Sequence, residues 1–192
     1  MRVTKAQAQA NRAHIVETAS RLFRERGYDG VGVADLMAEA GFTHGGFYKH
    51  FGSKADLMAE AAACGLANSL EKSAEHDIAA FFDQYLSRQH RDTPGQGCTF
   101  AALSGDAARQ PEEVKATFAQ GLENMLAAVE HSGITLTGVE PQDMRAKMID
   151  TMAHAIGAIV LSRACPDDSA LADEILEVCR KEILGPMGPG DL

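Results

Sequence analysis

The chain has 192 residues, 45% of them hydrophobic and 23% charged, with a formal net charge of -9. That is enough apolar material for one or two packed domains. There is no apolar run of about 18 residues, and Met1 to Gln7 lacks the apolar centre of an export signal, so the expected setting is the cytoplasm and no membrane partner.

The four cysteines, Cys64, Cys98, Cys165 and Cys179, are widely spaced and form no Cys-x-x-Cys pair. This argues against a zinc site or a disulfide framework, and no cofactor or metal is expected. The acidic balance is uneven. Residues 1–54 carry eight Lys and Arg against five Asp and Glu, a net +3, which leaves -12 on the remainder. A basic head on an acidic body concentrates phosphate affinity at one end.

In chain order, Ile15, Ala19, Leu22 and Phe23 give helical spacing over Lys5 to Arg26, with Gly27 as its stop. A second, short helix runs over Val33 to Ala40, with Leu36, Met37 and Ala40 on one side, and ends at Gly41. Thr43 is a candidate N-cap for a third helix, His44 to Phe51, whose Phe47 and Phe51 face inward while Tyr48 and His50 reach its flanks. Two short helices joined through Gly41 have helix-turn-helix spacing. Ser53 and Asp56 form an approximate capping box at the start of a longer helix. Lys54, in its first turn, is placed to hold a phosphate.

The remainder reads as a helical body. Helices are expected over Asp77 to His90, Cys98 to Arg109, Pro111 to His131, Pro141 to Ala164 and Asp168 to Leu184, with loops at 91–97 and 134–140. The last two helices have broad apolar faces, and Ala153, Gly157 and Ala158 permit close helix approach, which suits a homodimer interface. The fold class is therefore all-α, with about nine helices. Residues 1–54 are expected to form a helix-turn-helix head, 55–185 a helical dimerisation body and 186–192 a disordered tail.

Ala19-Ser20-Arg21-Leu22-Phe23, Gly27-Tyr28-Asp29-Gly30, the run Ala34 to Gly41 and above all Phe47-Tyr48-Lys49-His50-Phe51-Gly52-Ser53-Lys54-Ala55-Asp56-Leu57 together resemble the TetR (tetracycline repressor) family of bacterial transcriptional regulators. The resemblance covers about the first third of the chain. It implies a homodimer with two DNA-reading heads, a small-molecule cavity in each body, and release of a palindromic operator when an effector binds. Matching positions in the family place Tyr48, His50 and Lys54 near the DNA backbone. The chain departs from the family at Val31-Gly32, where hydroxyl residues are usual, and at Gly46, where some relatives carry a base-reading side chain. Both departures shift weight to His44 and to an N-terminal arm with Arg2 and Lys5.

The residue chemistry agrees with DNA binding. Thr43, Tyr48, His50 and Lys54 offer phosphate donors, whereas His44, Lys49 and Thr43 are candidates for base edges. Gly45 and Gly46 would let the backbone approach the groove floor. In the body, Phe81, Phe82, Tyr85, Phe100, Phe118, Met125, Met152 and His154 are candidate linings of an apolar effector cavity. Cys98 follows Gly97 at a predicted helix start, where the helix dipole favours a thiolate. Family members resembling the chain around Gly97-Cys98 sense reactive compounds through a cysteine, so thiol-based sensing stands beside small-molecule binding, and beside the plain reading of a small buried side chain. No Gly-x-Ser-x-Gly, phosphate loop or His-x-x-x-His pair points to an enzyme. The rival functions are a dimeric helical adaptor that does not bind DNA and a thiol enzyme built on Cys98 and His154.

Overall fold

The computed structural model describes residues 4–73, 77–131 and 139–185; within them all regular structure is helical, with no strand. The α-helices are α1 (Lys5–Arg26), α2 (Val33–Glu39), α3 (Lys54–Ser73), α4 (Ile78–Tyr85), α5 (Arg88–Asp92), α6 (Thr99–Ala107), α7 (Glu112–His131), α8 (Met144–Arg163) and α9 (Ala170–Leu184). Short 3-10 segments occupy His44–Lys49, Pro94–Gln96 and Pro141–Asp143. The all-α expectation with a helix-turn-helix start is therefore met. Arg2, the tail at 186–192 and most of the 134–140 loop lie outside the described residues.

Local chemistry sets the ends. The Thr4 hydroxyl accepts the Gln7 N–H at 3.1 Å and starts α1, and Gly27, at φ +72°, stops it. Gly41 at φ +80° makes the turn after α2, a conformation that a side chain would strain. The Ser53–Asp56 box forms: the Ser53 hydroxyl accepts the Asp56 N–H at 3.0 Å, and Asp56 accepts the Ser53 N–H at 3.1 Å. Gly32 stands at the N-cap of α2 with no side-chain hydrogen bond, as its lack of a hydroxyl dictates.

Three expectations are corrected. The third helix is a six-residue 3-10 turn, and Thr43, although extended at the N-cap position, gives it no side-chain hydrogen bond. Two adjacent glycines disfavour the α-helix, and a short 3-10 piece forms instead. The helix expected over Asp77 to His90 breaks after Tyr85, because the Ser87 hydroxyl accepts the His90 N–H at 3.2 Å and begins α5 afresh. The helix expected from Pro141 begins with a 3-10 turn and becomes α-helical only at Met144.

The head and body share packing. Ile15, Leu22, Phe23, Leu36, Phe47 and Leu57 form one cluster with Phe100, Leu103, Val114 and Phe118, so α6 and α7 complete the head's core. A second cluster joins α4, Ala101, α8 and α9, and a third joins Leu126 to Met144, Met148 and Met152.

Candidate functional site

The 3-10 segment presents the head's outward chemistry. Phe47 is 1% exposed and packs 5.4 Å from the Phe51 ring, which seats the segment on the core. Tyr48 stands perpendicular to Phe47 and is 69% exposed, with the centre of the His44 ring 6.2 Å from its own. Thr43, His44, Gly45 and Lys49 are also exposed, whereas Gly46 and His50 are partly buried. Nothing would stand within 4 Å of a side chain at Gly45, so the missing Cβ leaves open space on the outer side.

The remaining head candidates are more engaged. Lys54 donates from Nζ to the Tyr28 carbonyl at 2.6 Å, tying α3 to the turn after α1; an ammonium has two further protons for a phosphate. Asp56 lies at the same helix start and takes the Gly52 and Ser53 N–H groups, so a carboxylate already occupies part of the place an anion would use. The His50 carbonyl accepts from Arg12 Nε at 3.3 Å, while the Arg12 guanidinium pairs with Glu60 and lies 4.7 Å over the Phe51 ring.

Helix α6 is one of the body's connections to the head, and both its ends are bonded there. At its far end Asp106 Oδ2 accepts the Tyr28 N–H at 3.0 Å. Just before its start, the Gly95 carbonyl accepts from Arg24 Nη2 at 2.7 Å and Nε at 3.1 Å, and Arg24 Nη1 donates to the Ser20 hydroxyl at 2.6 Å. Gly65 of α3 lies against this junction. A Cβ there would stand 2.5 Å from Thr99 Oγ1, 2.6 Å from Arg24 Nη1 and 2.8 Å from Ser20 Oγ.

The candidate cavity residues do not converge on one void. Phe100 and Phe118 pack edge-on at 5.8 Å in the head-side cluster. Phe81, Phe82 and Tyr85 belong to the second cluster, Met125 flanks the first and third, and Met152 lies in the third. His154 is exposed, so it faces away from the interior where it was expected. An open depression of about 380 Å³ instead lies between α1, α6 and the end of α8, lined by Arg24, Pro94, Ala101, Val160 and Arg163 among others.

Cys98 touches both larger clusters and is partly buried at the N-cap of α6. Its N–H donates to His90 Nε2 at 3.0 Å, and the other ring nitrogen lies 2.7 Å from the Tyr85 carbonyl. That pattern assigns the proton to Nδ1 and makes His90 a neutral bridge. Burial, reinforced by Arg163, holds its pKa below the ordinary range, against the opposing bond from Tyr85. Burial pushes the Tyr85 phenol well up, with the adjacent Cys98 adding to the effect. Arg163 donates to the His90 carbonyl at 2.8 Å and the Arg91 carbonyl at 2.9 Å, and burial lowers its pKa. Gly97 permits this approach, since a Cβ there would stand 2.7 Å from His90 Nε2.

A family model for bacterial regulatory proteins of the TetR family matches residues 15–61, the span that holds the later part of α1, α2, the 3-10 segment and the start of α3. Over that span the chain is similar to the TetR family. Over 76 residues it is 40% identical to the transcriptional regulator TtgR of Pseudomonas putida, covering 40% of this chain and 34% of the relative. The chain thus spans about a third of that relative's length. It is also 26% identical over 131 residues to the repressor NemR of Escherichia coli, covering 63% of this chain and 66% of NemR. The solved structure of reduced E. coli NemR superposes with a TM-score of 0.73 at 20% identity, covering 92% of this chain and 96% of NemR. AibR in complex with isovaleryl coenzyme A and operator DNA superposes at 0.55 and 19% identity, over 90% of this chain and 97% of AibR. At these identities the structural likeness establishes the TetR fold.

The TetR head was legible in its motif; the links around α6 were not. Arg24, His90, Asp106 and Arg163 act through backbone partners and over sequence separations of up to 78 residues, as in the Asp106–Tyr28 bond. Only the Gly95-Gln96-Gly97-Cys98 run, which combines two glycines with a helix start, offered a local signal.

Proposed function

We propose that the chain is a cytoplasmic, dimeric DNA-binding transcriptional regulator that represses from a palindromic operator and is released by a small hydrophobic or reactive effector. The observation that carries this reading is the 3-10 segment: exposed Thr43, His44, Tyr48 and Lys49 project from a turn held by buried Phe47, on a positively charged head. Tyr48, His50 and Lys54 hold the phosphate backbone, and His44 with Lys49 reads base edges. The functional division falls near residue 54, between the reading head and the effector and dimerisation body.

Dimerisation through α8 and α9 is supported by the apolar side chains they leave in solvent. Ile149, Val160, Leu161, Leu171 and Val178 are between 45% and 60% exposed. A second copy bringing the same faces together makes a four-helix contact. Sedimentation and operator binding test both parts. Wild type should sediment as a dimer and bind a palindrome with affinity that falls steeply with salt, because phosphate contacts release counterions. Leu161→Glu should give monomers with weak binding. A chain that dimerises but binds no duplex specifically would be the helical adaptor instead.

A second reading of the effector is favoured by the surroundings of Cys98. A partly buried thiol stands at the start of the helix that connects body to head, beside Tyr85 and Arg163. In this reading an oxidant or electrophile acts on Cys98, and Cys98→Ser retains operator binding in the presence of that reagent.

A further inference from the structure

We propose that Arg12, held by Glu60, is a positioning residue for operator readout: it fixes the far end of the reading segment without touching DNA. This rests on the DNA-binding reading above and adds two residues to it.

The 3-10 segment His44–Lys49 has little support of its own. It is six residues long, its N-cap residue Thr43 gives no side-chain hydrogen bond, and Gly45 and Gly46 stand in its first turn. Adjacent glycines and 3-10 geometry both leave a backbone easy to deform. At the exit, the His50 and Phe51 N–H groups donate to the Phe47 carbonyl at 2.9 and 3.0 Å, which ties the exit back to the segment itself.

Arg12 of α1 supplies support from outside. Its Nε donates to the His50 carbonyl at 3.3 Å, its guanidinium carbon lies 4.7 Å from the centre of the Phe51 ring, and Nη1 and Nη2 donate to the two carboxylate oxygens of Glu60 on α3. One planar group therefore meets the exit at two consecutive residues, and the forked pair with Glu60 fixes its orientation. Phe51 is buried and packs on Phe47, whose ring stands against Tyr48, so the hold reaches both His50 and Tyr48.

Charge points to the same role. The Arg12 and Glu60 side chains are 40% and 36% exposed, and an ion pair that open adds little to stability. Arg12 is one of the eight cations of residues 1–54, but Glu60, outside that span, neutralises it, which makes it a weak attractor for phosphate. What the pair supplies is geometry. Phosphate contacts from Tyr48 and His50 set the register in which His44 and Lys49 meet the bases, so a loosened exit degrades discrimination more than general attraction.

The test compares wild type, Arg12→Lys and Glu60→Gln, each as the full chain, on two duplexes by fluorescence anisotropy: the palindrome that wild type selects from a randomised pool, and a scrambled duplex of the same composition. Circular dichroism melts set a measuring temperature well below each transition. Arg12→Lys keeps the charge and loses the planar fork; it should bind the selected duplex about tenfold more weakly, the scale of one lost hydrogen bond, and the scrambled duplex within about twofold of wild type. Glu60→Gln removes a negative charge from the head, so it should bind the scrambled duplex more tightly and yet the selected duplex more weakly. A selected duplex bound more tightly by Glu60→Gln, or a selected-to-scrambled ratio unchanged in Arg12→Lys, overturns the inference and leaves DNA binding intact. If wild type selects no palindrome, the DNA-binding reading falls and this inference falls with it.

Discussion

Removing the Asp106 carboxylate isolates what the far end of α6 contributes to joining body and head. In Asp106→Ala the Tyr28 N–H loses its acceptor at 3.0 Å while Tyr28 itself remains fully buried. An orphaned backbone donor that had bonded to a charged group costs about 1.5–3 kcal/mol. The Asp106–Arg109 pair is lost as well, but Arg109 is 67% exposed and that contact contributes below about 1 kcal/mol. For a chain of this size each kcal/mol lowers the melting temperature by roughly 2–4 °C. Asp106→Ala should therefore melt about 4–10 °C below wild type, and Asp106→Asn, which keeps an acceptor oxygen, should lose about half as much or less. Circular dichroism melts of the three proteins at one concentration measure this. If Asp106→Ala melts within about 1 °C of wild type, the bond is not holding the junction.

Gly65→Ala places a methyl against Thr99, Arg24 and Ser20 at 2.5–2.8 Å, and should destabilise by about 1–3 kcal/mol in urea titrations with an unchanged slope. His90 has its folded pKa depressed by burial, so the unfolded chain binds the extra proton first. Its contribution to stability is complete above the unfolded value near 6.5 and declines as pH falls below it; His90→Asn should show a flatter decline between about pH 6.5 and 5, and an unchanged slope there would contradict the assignment. On DNA, Tyr48→Phe should weaken all operator variants alike. His44→Ala should instead compress the differences between variants, by about 1–3 kcal/mol at the base it reads. Fluorescence anisotropy across a set of single-base operator changes separates the two patterns.

Much of the fold could be read from the sequence because its signals are local. The bounds of α1 follow from Thr4, the apolar spacing of Ile15 to Phe23 and Gly27, and the Ser53–Asp56 box marks α3 by its own side chains. Where two local tendencies compete, spacing alone misleads. Ile78 to Leu86 continues a helical stripe, but the Ser87 hydroxyl diverts the chain after Tyr85. Apolar spacing marks Phe100, Phe118 and Met152 as interior without saying whether they enclose space or fill it, and here they join packed clusters. His154 has no spacing error at all; only the packing of α8 decides that it faces outward.

In the proposed regulator, the double attachment of α6 also sets a thermodynamic threshold for switching. A body rearrangement that tilts the head must give up the Asp106–Tyr28 bond, the Arg24–Gly95 bonds, or both. At about 1–3 kcal/mol for each attachment, the bound and released arrangements differ by a few kcal/mol before any DNA is present. An effector moves that balance only by its preference for one arrangement over the other, at about 1.4 kcal/mol per tenfold preference. A ligand that prefers the released arrangement by about a hundredfold suffices when one attachment opens, and roughly ten-thousandfold is needed when both must. In the proposed regulator, with both attachments kept in the operator-bound arrangement, weakening either by mutation should lower the effector concentration needed for release.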